Sequence, residues 1–240
     1  MCGIISGSLI DKNYFNNYKN HIINLYLQSQ IRGKHATGIS CGNDLIENHS
    51  LPESSELFIK EQQFNKILEI SKENNLIGHI RYSTSDIDYN QPIRINKRFS
   101  ISHNGVITQR EFKYWDEHYK NLLEDYKLKT KNDTELLGIA FYKFIKGDER
   151  FNPFIYFKNS SIAAVCLYRN KIYFFRNGKR PLYYYKNNKY FFVASTKDIF
   201  LRSRLKEKYI KKVEPFKIYI YSNGKIDLKN FEIIKKDWQC

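Results

Sequence analysis

The chain has 240 residues, of which 42% are hydrophobic and 16% aromatic, and 40 Lys and Arg against 25 Asp and Glu give it a formal net charge of +15. That content supports a packed core and excludes an intrinsically disordered chain, and no run approaches the roughly 18–20 apolar residues of a membrane-crossing helix. The start, MCGIISGSLI, lacks the basic region of a secretory leader, so a soluble, cytoplasmic protein is expected.

Residues 2–10 are apolar and read as a strand. Residues 14–31 read as an amphipathic helix, with Phe15, Tyr18, Ile22, Leu25 and Tyr26 at helical spacing. Strands are expected at 36–41, 76–82 and 99–103, with a helix at 64–71 between the first two. The last of these strands ends at Asn104-Gly105, a strong turn signal. Residues 133–145 form a helix that Asn132 or Asp133 can cap, with Leu136, Leu137, Ala140, Phe141 and Phe144 on its apolar face and Gly147 past its end. Short strands follow at 162–168, 171–176, 182–186 and 190–195, then a helical piece near 197–204. Two last strands, 216–221 and 225–228, flank the Asn223-Gly224 hairpin signal. Helices early and antiparallel meanders late make an α+β pattern without βαβ alternation. A single domain over 1–240 is expected.

The charge is unevenly spread. Residues 1–60 are balanced, whereas residues 200–240 carry a net +6 without a block of Lys or Arg that forms an obvious binding tail. The chain is rich in Lys, Asn, Ile and Tyr, the bias of an AT-rich genome, so a solvated basic surface is favoured over a nucleic-acid interface. Of the four cysteines, Cys41, Cys166 and Cys240 read as ordinary reduced thiols. No CxxC pair or zinc-ligand spacing is present.

Cys2 differs by its place. If Met1 is removed, one residue holds both a thiol and a free α-amine, a nucleophile with its own base. Four further segments then stand out: Arg32-Gly33-Lys34-His35-Ala36-Thr37-Gly38, Gly78-His79-Ile80-Arg81-Tyr82-Ser83-Thr84, Ser102-His103-Asn104-Gly105 and Asn132-Asp133-Thr134-Glu135. In this order and spacing they resemble the class II (N-terminal cysteine) glutamine amidotransferase domain, and are closest to the glutaminase domain of glutamine phosphoribosylpyrophosphate amidotransferases. Gln91-Pro92, Arg180-Pro181-Leu182 and Ala194-Ser195 extend the likeness. The chain departs from the pattern at Lys34-His35, at Ser85-Asp86 and at Arg176-Asn177-Gly178.

The resemblance implies a four-layer αββα sandwich of the N-terminal-nucleophile hydrolase type. It also implies hydrolysis of L-glutamine to glutamate and ammonia through a Cys2 thioester, with no metal or organic cofactor. Arg81 suits the substrate carboxylate because a guanidinium fork matches two oxygens. Thr84 adds hydrogen bonds there, and Asp133 pairs with the ammonium while remaining compatible with an N-cap role. Asn104 and the Gly105 N–H suit the oxyanion, although the dipeptide alone reads as a plain Asn-Gly turn. Arg32 either braces the Asn104 loop or acts as a cation at a helix C-terminus. His35, His79 and His103 are structural or supporting, since the α-amine serves as base. The family usually fuses this domain to an ammonia-using synthase, so a separate synthase subunit is the expected partner. The alternatives are a stand-alone N-terminal-nucleophile amidohydrolase and an inactive basic binding or scaffold protein.

Overall fold

A computed structural model describes residues 2–82, 89–107, 120–130 and 132–229. In chain order its elements are β1 (Gly3–Leu9), α1 (Phe15–Ser29), β2 (Ala36–Gly42), β3 (Ile46–Leu51), α2 (Ser55–Phe58), α3 (Gln62–Ile70), β4 (Leu76–Arg81), β5 (Ile93–Asn96) and β6 (Phe99–His103). There follow α4 (Lys120–Leu123), α5 (Asp133–Ile145), α6 (Pro153–Tyr156), β7 (Ala163–Tyr168), β8 (Lys171–Arg176), β9 (Tyr183–Lys186) and β10 (Tyr190–Ala194). The last elements are α7 (Lys197–Arg202), β11 (Ile210–Lys212), β12 (Ile218–Ser222) and β13 (Lys225–Lys229). Strands β3, β5 and β11 and the short helices α2, α4 and α6 are additions to the elements expected from sequence. The first long helix stops at Ser29 and tightens into a 3-10 turn over Gln30–Arg32.

The strands form two antiparallel sheets, ordered β11-β9-β10-β1-β4-β2-β3 and β13-β12-β8-β7-β6-β5. Each helix lays its apolar stripe on one outer face. Tyr18, Ile22, Leu25 and Tyr26 of α1 join Phe64 and Ile67 of α3 and Phe200 of α7 over Ile5, Ile39 and Phe192 of the first sheet. Leu136, Leu137, Ala140, Phe141 and Phe144 of α5 cover Phe99, Ile101 and Phe175 of the second. Ile4, Ile77, Val165, Phe174, Phe191 and Val193 fill the space between the sheets. Fully burying each such side chain contributes about 1.5–3 kcal/mol. The result is the four-layer αββα sandwich. No helix among the described residues is long and apolar enough to cross a membrane.

Three local features bring one end of this sandwich together. β1 lies in the middle of its sheet, and Gly3 pairs with Ile80, so Cys2 and Arg81 emerge at the same end. β6 leads from His103 straight into Asn104-Gly105. The α5 N-terminus abuts both, because the His103 Nδ1 lies 3.4 Å from the Thr134 hydroxyl. Asn132 is the N-cap, its side-chain oxygen accepting from the Thr134 N–H. Asp133 is therefore the first helical residue, and its carboxylate is released for other contacts.

Candidate active site

Cys2 is fixed from both sides. Its carbonyl accepts from Arg32 Nε at 2.9 Å and from the Ser195 hydroxyl at 3.5 Å. Ser195 also pairs with Ile4, accepting from its N–H at 2.8 Å and donating its own N–H to its carbonyl at 3.1 Å. The thiol lies 3.8 Å from the Tyr82 carbonyl. Burial pushes the thiol pKa up, while the Tyr82 peptide, the chain terminus, Arg81 and Arg32 act in the opposite direction. Sequence left Arg32 between a loop brace and a helix-end cation. The structure puts it in the turn after α1, with its Nε on the Cys2 carbonyl. Burial lowers the Arg32 pKa, which the Cys2 thiol offsets and Arg180 reinforces.

Asn104 and Gly105 continue β6 past its regular end. Asn104 exchanges both backbone hydrogen bonds with Ala163 (2.8 and 3.1 Å), and Val106 does so with Ser161 (3.0 and 2.9 Å). In an antiparallel ladder the residue between two such pairs turns its N–H away from the partner strand. Gly105 is that residue, and its N–H has no acceptor among the described residues. The Asn104 side chain is buried, yet its Nδ2 has no hydrogen-bond partner among the described residues. Buried donors are normally paired, so this amide is an exception at the end of the fold where Cys2 and Arg81 emerge. Glycine is required at 105: a Cβ there would lie 1.7 Å from the Ser161 carbonyl oxygen and 2.5 Å from His103 Nε2.

His103 is the tie for this loop. Its N–H donates to Gln91 Oε1 at 2.6 Å, its Nε2 lies 3.1 Å from the Ser161 carbonyl, and its Nδ1 faces Thr134. A neutral ring that donates from Nε2 and accepts at Nδ1 satisfies both contacts. Burial lowers its pKa, Asp133 and the Ser161 carbonyl oppose that, and Arg180 adds to it. Burial also lowers His79, to about 3, aided by Arg81 and His103.

Arg81 Nη1 donates to the Tyr89 carbonyl and to Asn90 Oδ1, both at 3.0 Å. Its Nε and Nη2 make no hydrogen bond among the described residues. Asp133 Oδ2 accepts from the Ile107 N–H at 2.8 Å, so this carboxylate steadies the segment that follows Gly105. Thr84 lies outside the described residues. The structure thus brings Cys2, Arg32, Arg81, His103, Asn104, Gly105 and Asp133 to one end of the fold.

Several residues at this end were given no role from sequence. Ser195 and Gln91 sit in the Ala-Ser and Gln-Pro segments noted above, so a signal was present. Gly38 belongs to this group too, since a Cβ there would meet the Gln91 carbonyl at 2.2 Å. Arg176 binds the carbonyls of Val213, Gly178 and Arg180, and Asn177 binds the Ile162 N–H and the Ser160 carbonyl. Together they hold the turn that carries Arg180, whose Nε is buried without a partner among the described residues.

A family described as "Glutamine amidotransferase domain" matches residues 79–202, just over half of the chain. The chain belongs to this glutamine amidotransferase domain family. Solved structures agree on the fold. A glutamine phosphoribosylpyrophosphate (PRPP) amidotransferase from B. subtilis, complexed with ADP and GMP, aligns at TM-score 0.71 and 20% identity, over 97% of this chain and 50% of its own. A structure titled as the allosteric regulatory enzyme of purine biosynthesis aligns at TM-score 0.69 and 20% identity, over 97% and 49%. A glutamine aminotransferase class-II domain protein from Silicibacter pomeroyi aligns at TM-score 0.56 and 10% identity, over 96% and 99%. The glutamine amidotransferase chain thus spans about half the length of the first two. No curated protein sequence matches it.

Proposed function

We propose that this glutamine amidotransferase domain hydrolyses L-glutamine to glutamate and ammonia through a thioester on Cys2. The observation that carries this reading is the pair of unengaged donors, Asn104 Nδ2 and the Gly105 N–H, at the end of the fold where the thiol emerges. Donors without a partner among the described residues suit a charge that exists only during reaction.

In this reading Met1 is removed and the Cys2 α-amine takes the thiol proton, since burial keeps the resting thiol neutral. The sulfur attacks the substrate amide carbon, and the carbonyl electrons move to an oxyanion held by Asn104 and Gly105. The C–N bond breaks, and ammonia leaves with a proton from the α-ammonium. Water then attacks the thioester, giving up a proton that returns to the sulfur as glutamate departs. The Nε/Nη2 edge of Arg81, unbonded among the described residues, takes the substrate carboxylate, to which Thr84 is proposed to add hydrogen bonds. The Asp133 oxygen left over from the Ile107 contact takes the ammonium.

Residues 1–240 act as one domain in this proposal, and the ammonia passes to a separate synthase subunit. About half of each of the first two chains aligned above has no counterpart in these residues. The exposed basic residues of 202–212 would provide the docking charge, and rim charges of this kind mainly speed association. Nucleic acid on the same surface is the second reading, and a pull-down after nuclease treatment separates the two. The test of the activity is release of glutamate and ammonia from glutamine by the mature protein, and its loss in Cys2→Ala. A mature protein that leaves glutamine intact would overturn the proposal.

A further inference from the structure

Three consecutive residues, Tyr89, Asn90 and Gln91, are bonded at once to the end of β4, the cap of α5 and the end of β6. The Tyr89 carbonyl accepts from Arg81 Nη1 at the end of β4 and from Asn132 Nδ2 at the cap of α5, both at 3.0 Å. Asn90 Oδ1 takes the second proton of the same Arg81 nitrogen, also at 3.0 Å. Gln91 Oε1 binds the His103 N–H on β6 at 2.6 Å.

A carbonyl oxygen has two lone pairs, and here both are filled. One oxygen therefore holds the Arg81 and Asn132 nitrogens within twice a hydrogen-bond length of each other. Arg81 lies in the first sheet, and Asn132 begins a helix packed outside the second. With Nη1 fully used, the guanidinium cannot rotate and presents only its Nε/Nη2 edge. Asn132 is bonded directly to Asp133.

We infer that Asn132 and Asn90 are positioning residues that set the spacing between the carboxylate anchor, Arg81, and the ammonium anchor, Asp133, and that this spacing selects glutamine over its one-methylene-shorter analogue, asparagine. The inference rests on the proposed function above. Both anchors grip the α-carbon end of the amino acid, so fixing them fixes how far the side-chain amide reaches toward Cys2. A shorter side chain then leaves the amide carbon displaced from the sulfur and from the Asn104 and Gly105 donors. Displacement of about 1 Å at a reacting centre costs on the order of 10²-fold in rate.

Asn132→Ser is the informative variant. Serine caps a helix about as well as asparagine, so the bond to the Thr134 N–H is retained while the donor to Tyr89 is lost. The expected result is a roughly 5–20-fold rise in the glutamine KM, kcat within about twofold, and a smaller glutamine-to-asparagine ratio of kcat/KM. Glutamine affinity measured calorimetrically on Cys2→Ala and on Cys2→Ala/Asn132→Ser should fall by the same factor without turnover. Asn90→Ala should act in the same direction. Its effect should be less than additive with Asn132→Ser, because both reach Arg81 through one nitrogen. A merely structural role would lower the melting temperature and leave the glutamine-to-asparagine ratio unchanged. Unchanged affinity and an unchanged ratio overturn the inference even if the wild type hydrolyses glutamine. A wild type that neither binds nor hydrolyses glutamine overturns the underlying reading, and the inference with it.

Discussion

Gly105→Ala tests the oxyanion assignment with one methyl group. The added Cβ would sit 1.7 Å from the Ser161 carbonyl oxygen, a backbone atom that cannot swing aside, and contacts under 3.0 Å are essentially never occupied by real Cβ atoms. The 104–106 segment and the Ser161 strand must therefore separate by more than an ångström. The Val106–Ser161 pair, two backbone hydrogen bonds, lies directly in the path of that movement. Overpacking of this kind costs roughly 1–3 kcal/mol of stability. Moving one oxyanion donor out of range costs about 10²–10³ in kcat. The glutamine KM should change by less than about fivefold, since Arg81 is anchored through a different segment. Ammonia release at saturating glutamine, with thermal unfolding run in parallel, reads both effects. If the variant keeps kcat within threefold of wild type, the Gly105 N–H does not serve the oxyanion.

Cys2→Ala should abolish hydrolysis and Cys2→Ser should be severely impaired, with mass spectrometry showing Met1 removed; equal activity in chains that retain Met1 would exclude the α-amine as base. Alkylation of Cys2 by iodoacetamide should titrate above a free cysteine, because burial raises the thiol. It should slow further at fixed pH in Arg81→Ala and Arg32→Met, since each guanidinium lowers the thiol pKa; faster alkylation would contradict the site electrostatics. Arg81→Ala should mainly raise the glutamine KM and Asn104→Ala should mainly lower kcat. Asp133→Ala should do both, because its carboxylate also holds the Ile107 N–H; a pure KM effect would remove that second role. His79 titrates at about 3 when folded and near 6.5 when unfolded. Between those values the unfolded chain binds the extra proton, so stability falls as pH drops below about 6.5. His79→Gln should flatten that slope in pH-dependent thermal unfolding, and an identical slope would show that His79 does not contribute.

The three strands that sequence did not reveal share one property. β3, β5 and β11 are all sheet edges, with a strand neighbour on one side only. Their sequences, IENHSL, IRIN and IKK, interleave polar and charged residues, as edges must to resist pairing with other chains. They lack the apolar run that made β1 or β10 readable. β13 is also an edge, but the Asn223-Gly224 turn marked it. The site divides in a similar way. Cys2, Arg81, Asn104 and Asp133 could be proposed from sequence because they fall, in order, in motifs that resemble those of the glutamine amidotransferase family. Their supports at Tyr82, Tyr89 and Ser161 act through peptide carbonyls, which every residue type carries.

The Ser195 hydroxyl that reaches the Cys2 carbonyl lies 193 residues further along the chain. β1 gains its second neighbour only when β10 arrives, so the strand carrying the nucleophile is among the last to be enclosed. Contacts this distant in sequence form late, since a long loop must close before they are rewarded. During synthesis the first residues would therefore stay outside any finished sheet, within reach of the processing that the proposed mechanism requires at Cys2. Under the proposed mechanism the topology orders maturation before activity: the terminus would be trimmed while the chain is open, and the thiol would meet Asn104 and Gly105 only once the fold is complete.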